Sequence, residues 1–457
     1  MEDLMQKVIS LAKRRGFVFP SSEIYGGVEA LFDYGPLGSL MKNNIKASWL
    51  DRFVRTKEEV ALIDASILMS PRVWEASGHI ENFTDPLIEC KSCHMRFRAD
   101  HMLSGRFKGQ GEAKDINQCP GCGDRDFTAP RNFNLMFKTF LGPVEDEKNA
   151  TFLRPETAQS MFTNFKLVQE SQRLKVPFGI AQVGKAFRNE ITTGNYLFRL
   201  KELEQMEIEY FVKPGEDEKW FDYWVKEWWK FFADMGVKEK NMRLYEHPRE
   251  SLSHYSKRTV DIEYKFPFGW GELAGVANRT DFDLKAHAKA SGQDLMYQDP
   301  AAKEKYYPFV VEPTMGVDRL FLALLLDAYE EVKGARTTTT KAAKEVETIL
   351  KLKPSVAPVQ VAVFPLVKNK PELVDKAREV FGMLKTRFSC QYDESGAVGR
   401  RYRRQDEIGT PFCITVDFDT LQDASVTLRD RDTMGQERVP VSKLQETIAG
   451  RLNGEND

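Results

Sequence analysis

Residues 187–211 read FRNEITTGNYLFRLKELEQMEIEYF, and this stretch decides the fold. Phe187-Arg188-Asn189-Glu190 ends one strand, a polar turn follows, and Phe198 to Phe211 makes the returning strand. Residues two apart on a strand share a face, so Arg188 and Glu190 look the same way. On the return strand Arg199, Lys201, Leu203, Gln205, Glu207 and Glu209 share one face. Leu200, Met206, Ile208 and Tyr210 share the other, interrupted by Glu202 and Glu204. A face bearing Arg, Gln and several Glu cannot be core. It reads as the floor of a wet, charged site whose mostly apolar reverse packs on helices. Arg199 to Glu207 spans roughly 26 Å at about 3.3 Å per residue, enough to reach from a nucleotide to a second small substrate.

Working outward, Gly316-Val317-Asp318-Arg319 leads into the apolar run Leu320–Leu326, a helix buried on most sides. Arg319 falls in its first turn, where the helix dipole disfavours a cation. A buried arginine there needs an anion, either a structural carboxylate or a bound phosphate. Three more carboxylates stand in unusual company: Glu156 in Arg154-Pro-Glu-Thr-Ala-Gln159, Glu272 in Gly269-Trp-Gly-Glu-Leu273, and Glu312 in Glu312-Pro-Thr-Met-Gly316. Taken singly, each reads as a surface acid.

The chain of 457 residues is too long for one ordinary core. Its 42% apolar and 29% charged residues fit a soluble globular protein. Leu320–Leu326 is far short of a membrane span. The opening MEDLMQKVIS lacks a signal-peptide core, so a cytoplasmic location is expected. A net charge of −2 argues against a protein coated by nucleic acid but permits a basic groove on one face. Cys390 and Cys413 stand alone and read as small buried hydrophobes. Cys90, Cys93, Cys119 and Cys122 form two C-x2-C pairs, the second written Cys119-Pro-Gly-Cys122-Gly. Such spacing suits a structural metal with all four positions filled by sulfur. Two disulfides, or four free thiols, are the alternatives.

Residues 2–15 have helical spacing. A Gly/Pro/aromatic stretch runs from Phe17 to Gly38, followed by a helix over 39–55 and a strand from Glu59 to Met69. Residues 86–130 look like an insertion around the cysteines. Trp220, Trp224 and Trp228 recur at helical spacing and read as one buried face without chemistry. A Thr/Lys/Ala-rich stretch, Lys333 to Lys353, reads as a linker. Beyond it strands at 359–366, 389–393, 411–417 and 425–429 and helices at 371–388 and 441–452 predict a compact α/β domain. Arg400, Arg401, Arg403 and Arg404 bunch around Tyr402 there, either as a solvated helix face or as an RNA-facing patch.

Together these segments resemble the class II aminoacyl-tRNA synthetases, and within them the dimeric glycyl-tRNA synthetases. Class II motif 1 looks like helix 39–55 with the strand ending at Pro71, motif 2 like 187–211, and motif 3 like Gly316–Arg319 with its helix. The glycine-type strings are Phe19-Pro-Ser-Ser-Glu-Ile-Tyr-Gly-Gly27, Asp33-Tyr-Gly-Pro-Leu-Gly38, Arg154-Pro-Glu-Thr-Ala-Gln159, Glu204-Gln-Met-Glu-Ile-Glu209 and Ala277-Asn-Arg-Thr-Asp-Phe-Asp-Leu284. The resemblance implies an antiparallel-sheet catalytic domain over 1–340 with a zinc-ribbon-like insertion at 86–130. A linker over 341–355 and an anticodon-binding α/β domain over 356–457 would follow. It also implies a homodimer, ATP, Mg²⁺ and structural Zn²⁺ as cofactors, and glycine and tRNA(Gly) as partners.

Residue roles follow from the resemblance alone. Arg188, Glu190 and Arg319 would be catalytic, with Arg188 on the ATP α-phosphate and the glycine carboxylate and Arg319 at the far end of a bent triphosphate. Asn189, Phe198, Arg199, Leu203, Leu273, Gly316 and Asp318 would frame ATP, and Glu202 with Glu272 would help hold Mg²⁺ or adenosine. Glu156, Glu207 and Glu312, with Gln205, Arg279, Thr314 and Arg98, would surround glycine. Leu203 stands where the family usually has Phe, and Thr314 where it usually has Ser. A non-catalytic, nucleic-acid-binding relative would be expected to lose the arginines of motifs 2 and 3, yet Arg188 and Arg319 are both present. A synthetase for threonine or proline would lack the glycine-type strings.

Overall fold

Seven strands hydrogen-bond into the sheet that carries the motif-2 stretch: β1 (Val60–Ile63), β2 (Phe178–Phe187), β3 (Glu202–Val212), β4 (Met242–Glu246), β5 (Arg258–Phe266), β6 (Gly269–Thr280) and β7 (Phe309–Gly316). The structure is a computed structural model describing residues 2–99, 118, 119, 121–191, 193–253, 255–333, 346–452 and 454. The strand order is β4-β5-β6-β7-β3-β2-β1. All pairs are antiparallel except β1 with β2. The register places Leu203 opposite Ala186, Gln205 opposite Gly184 and Glu207 opposite Gln182. On its other side β3 sets Gln205 against Gly316 and Glu207 against Thr314.

The alternation read from the sequence governs the packing. Met206, Ile208 and Tyr210 enter the main core against the helix Asp217–Met235, whose Trp224 and Trp228 are buried. Phe53 meets Trp228 edge-to-face at 4.5 Å, and Trp49 lies 6.4 Å from the same indole. The aromatic stripe is therefore core, apart from Trp220 at its half-buried margin. Helix Val317–Ala328 is buried on nearly every side, as its apolar run requires.

Several boundaries differ from the sequence reading. The return strand begins at Glu202, because Tyr196–Phe198 is a tight 3-10 turn entered through Asn195 with a left-handed backbone. The helix expected at 39–55 starts earlier, at Pro36, and widens into a π-type turn over Asp51–Arg55. The strand expected from Glu59 to Met69 is two: β1 joins the main sheet, while Leu68–Met69 pairs with Phe152 and Leu153 in a three-stranded sheet.

The linker expectation is corrected. Residues 334–345 lie outside the described residues, but Val346–Leu350 is a strand paired with Tyr329–Lys333. Leu350, Leu352, Val356, Ala357 and Val359 then pack into the main core. The Thr/Lys-rich composition of the stretch hid the apolar character of Val346–Leu350.

The C-terminal sheet runs in the order 390–392, 361–365, 412–416, 425–430, 436–440. Its first three strands are parallel and the last two antiparallel. The final strand, Gln436–Pro440, was not foreseen. The Arg-rich segment is the helix Val398–Asp406. Arg401 is buried and donates to the Gly396 carbonyl at 2.7 Å. Arg404 pairs with Asp393 at 2.6 Å, and Arg403 with Glu347 at 2.9 Å. Tyr402 bonds Thr415 at 2.6 Å. Only Arg400 of the four arginines is exposed, so the cluster is mainly a structural clamp and not an open basic patch.

Candidate active site

At the Leu203 end of β3 a cavity of about 130 Å³ opens to solvent. Arg188, Glu190, Phe198, Arg199, Leu203, Gln205, Glu272, Thr314, Gly316, Asp318 and Arg319 line it, joined by Leu197, Leu200 and Met315. The arginines are aimed mostly by neutral acceptors. Arg188 Nε donates to the Pro155 carbonyl at 2.9 Å, and its guanidinium lies 5.6 Å from the Phe83 ring. Arg319 Nε donates to the Phe198 carbonyl at 3.0 Å and Nη1 to the Glu272 carbonyl at 3.1 Å. Arg319 also pairs with the Glu272 carboxylate at 2.9 Å and stacks 4.5 Å over Phe198. That guanidinium, ahead of the opposing effect of burial, holds the Glu272 carboxyl below its usual range. Arg199 reaches Glu190 at 3.4 Å.

Phe198 owes its place to a glycine: a Cβ on Gly271 would come within 2.8 Å of the ring. Phe266 and Phe268 back it edge-to-face at 5.0 Å each. The result is an aromatic wall next to three guanidinium groups, suited to a planar base joined to phosphates. Asp261 and Glu272 supply a second feature. A Cβ on Gly275 would lie 3.4 Å from Asp261 Oδ1 and 3.9 Å from Glu272 Oε1, so both carboxylates face one small space. Burial, then the charge of Glu272, lifts Asp261 to about 6. Two hard oxygen donors beside the arginines are the residues that could hold Mg²⁺.

Further along the same face the chemistry inverts. Glu156, Glu207, Glu209, Glu312 and Asp283 gather around a single guanidinium, Arg279, which is itself buried. Arg279 donates to both oxygens of Glu312 at 3.0 Å and to Asp283 at 2.7 and 2.9 Å, with Tyr255 stacked 3.9 Å away. Glu207 accepts from the Thr157 hydroxyl. Gln205 Oε1 accepts from the Thr157 amide at 3.2 Å. Glu156 sits 3.4 Å from His79 and accepts from Gln159 at 3.0 Å. Burial pushes Glu156 up, but His79 and Arg279 outweigh it and hold the carboxyl well below its usual range. Glu207 is raised, first by burial and then by the charge of Glu156. Burial likewise drives Glu312 well up, Arg279 offsetting only part. Such a pocket can take a small cation with hydrogens to donate.

The four cysteine sulfurs lie within 4.8 Å of one another. Cys90 and Cys122 are 3.6 Å apart, Cys93 and Cys119 3.5 Å. A disulfide needs about 2.05 Å, and none is formed. Four thiolates about 2.3 Å from one Zn²⁺ would stand about 3.8 Å apart at tetrahedral angles, so the donor set fits that ion.

Not every expected residue reaches the cavities. Leu273 turns into the core. Asn189 anchors its amide on the Leu135 carbonyl at 2.7 Å and is absent from the cavity wall. Glu202 lies on the opposite face of β3 from Leu203 and pairs with Lys185. Arg98, in the cysteine module, pairs with Asp85 at 2.8 Å. Asp318 borders the cavity, but its carboxylate is spent on Lys42 at 2.8 Å, the Glu204 amide at 2.9 Å and the Tyr34 hydroxyl. It braces motif 1 against motifs 2 and 3.

Residues 137–329 match the model of the tRNA synthetase class II core domain (G, H, P, S and T), and 360–451 that of the anticodon binding domain. Glycine–tRNA ligases from Streptomyces coelicolor and Thermobifida fusca are 55% and 52% identical to the chain, with 99% of each sequence covered. The chain belongs to the glycine–tRNA ligase family. A solved prolyl-tRNA synthetase from Cryptosporidium parvum, complexed with L-proline and AMP, superposes with a TM-score of 0.63 at 15% identity. That match covers 98% of this chain and 75% of the other, and shows the shared fold. No helix among the described residues is long and apolar enough to cross a membrane.

Residues that sequence reasoning passed over also border these two regions. His79, Tyr255 and Asp261 have no local signature, since their partners are distant in sequence. Asp283 stands four residues from Arg279 within the Ala277–Leu284 string, and Gly271 stands in Gly-Trp-Gly-Glu beside a candidate carboxylate.

Proposed function

We propose that the chain activates glycine with ATP and transfers the glycyl group to the 3′ end of tRNA(Gly). The observation that carries this is the reversal of charge along β3. Leu203 at the arginine-lined cavity and Glu207 in the carboxylate pocket are four residues, about 13 Å, apart. The cations suit a triphosphate, the carboxylates suit an ammonium, and Gln205 and Thr314 stand between them. Glycine offers no side chain to grip, so its ammonium must carry recognition. Larger amino acids are refused by lack of space, because contact energy alone separates a methyl poorly.

A glycine carboxylate oxygen attacks the α-phosphorus, the mixed anhydride forms, and the bond to the β-phosphate breaks to release pyrophosphate. No enzymic base is needed; alignment and charge stabilisation suffice. Arg188 holds the α-phosphate and the glycine carboxylate together, and Arg319 with Arg199 receives the outer phosphates. Mg²⁺, when bound at Glu272 and Asp261, supplies further charge neutralisation. Glu156, Glu207 and Glu312 take the ammonium. The terminal ribose hydroxyl of tRNA then attacks the glycyl carbonyl and AMP leaves.

The Cys90–Cys93–Cys119–Cys122 module holds one structural Zn²⁺ in this reading. The protein acts as a cytoplasmic homodimer, with catalysis in 1–340 and anticodon reading in 356–457. The hairpin to Leu350 and the packed residues to Val359 support a practical cut point near 359. The test is pyrophosphate exchange into ATP against all twenty amino acids. Exchange with glycine only is expected; equal exchange with alanine, threonine or proline would overturn the assignment.

A further inference from the structure

Glu209 stands two residues beyond Glu207 on the same face of β3 and has no role in the scheme above. It is 0% exposed, and neither carboxylate oxygen has a hydrogen-bond partner among the described residues. One oxygen each of Glu207, Glu209 and Glu312 lie within 4.8 Å of one another. An ionised carboxylate without donors in a protein interior costs far more than a neutral acid.

Arg279 is the cation whose charge reaches Glu209, and its hydrogen bonds are spent on other carboxylates. Glu207 shares its strand and Glu312 comes from β7. From β6, Arg279 is already bonded twice to Glu312 and twice to Asp283 of the following helix. Glu156 and Tyr255 close the pocket around the same arginine. His287 lies behind Gln159, its Nε2 2.8 Å from Gln159 Oε1. On β2 the residue opposite is apolar Ile180. Five carboxylates thus share one guanidinium, and Glu209 has the least support of the five.

We propose that Glu209 is a positioning residue of the glycine site: a neutral carboxylic acid, within 4.8 Å of Glu207 and Glu312, that can offer its O–H to either as they turn toward the ammonium. It rests on the assignment of those two residues to glycine. The proton keeps the pocket from carrying an excess negative charge when empty, and it gives Glu207 and Glu312 a donor that the backbone does not supply. Burial, then the charge of Glu312, drives the Glu209 carboxyl well above its ordinary range, in keeping with this.

Three substitutions in the full-length protein separate a neutral donor from an anion and from simple packing. Glu209→Gln keeps shape and donor, Glu209→Leu keeps bulk alone, and Glu209→Ala keeps neither. Glycine KM in pyrophosphate exchange is expected to rise about tenfold or more in the Leu and Ala variants, as for a lost hydrogen bond to a charged group. ATP KM should stay within about twofold, and Gln should restore glycine KM to within about threefold of the parent. Infrared difference spectra of parent minus Glu209→Gln at neutral pH should contain the carbonyl stretch of a protonated carboxylic acid, a readout independent of glycine. Absence of that band overturns the proposal, as does a Gln variant as impaired as Leu or a Leu variant as active as Gln. Glu207→Gln is the control. An unchanged glycine KM there overturns the glycine assignment itself, while the infrared band still reports the state of Glu209.

Discussion

The two ends of β3 solve opposite problems with the same backbone. At Leu203 the sheet holds arginines in a cavity open to water, and at Glu207 it holds carboxylates that are buried. The carbonyls of Pro155, Phe198 and Glu272 fix the direction of Arg188 and Arg319, and Arg319 also meets the partly exposed Glu272 carboxylate. Glu312 is neutralised by Arg279, and Glu156 is supported by His79. A ligand with many charges can be met by exposed cations, because it brings its own compensation. An ammonium with one charge is better selected by a buried, pre-satisfied pocket that pays for itself before binding.

The largest effect that would test this contrast is at the open end. Arg188→Ala or Arg319→Ala should cut glycine-dependent pyrophosphate exchange by about 10²–10³-fold, the cost of one transition-state donor. Circular dichroism must show intact folding. Near-parental exchange would remove these arginines from phosphate stabilisation.

At the closed end the effect should appear in binding. Glu207→Gln is expected to raise glycine KM by about 10–100-fold, the scale of a charged hydrogen bond, and to leave ATP KM within about twofold. Steady-state exchange with each substrate varied separately checks the split. Equal changes in both constants would mean that the two regions are not distinct sites.

Stability against pH should set the closed end's own carboxylates against each other. Glu156 is lowered in the fold, so its contribution is present above the unfolded carboxyl pKa and is lost as pH falls through the folded value. Glu209 and Glu312 are raised, so theirs is present below the unfolded pKa and is lost as pH rises toward the folded value. The stability of Glu209→Gln relative to the parent, followed by melting temperature, should therefore climb between about pH 5 and about pH 7, by up to roughly 1.4 kcal/mol of unfolding free energy per pH unit. A constant difference across that interval would show that Glu209 is ionised in the fold.

The smallest expected effect returns to the open end. Leu203 is half-buried on the cavity wall, and Leu203→Phe should lower ATP KM by severalfold through base stacking worth about 1 kcal/mol. Phe198 already supplies one aromatic wall, which keeps the gain modest. Melting temperature separates this from overpacking: a variant that melts well below the parent and binds ATP no better would show a pocket built around leucine.

Period-two alternation along 187–211 was legible from residue types because charge cannot face the core, and it located both ends of β3. The buried Trp224 and Trp228 face and the Leu320–Leu326 helix were legible for the same reason. The hairpin at 346–350 was not, since its partner strand lies across a polar segment and pairing energy is not written into local composition. The Arg400–Arg404 cluster misled in a similar way: Asp393, Glu347 and the Gly396 carbonyl, which hold three of those arginines, come from other elements.

By itself the sequence determined which residue types share a strand face, which helices are buried and which four sulfurs belong together, because those follow from periodicity and spacing. Only the tertiary structure decided that Asp318 is a brace, that Asp261 and not Glu202 stands beside Glu272, and that Gly271 makes room for Phe198. It alone decided that five carboxylates share one arginine. The physical reason is common to all four. Protonation, ion pairing and close approach depend on distances between residues far apart in the chain, and those distances exist only once the sheet has closed the elements around β3.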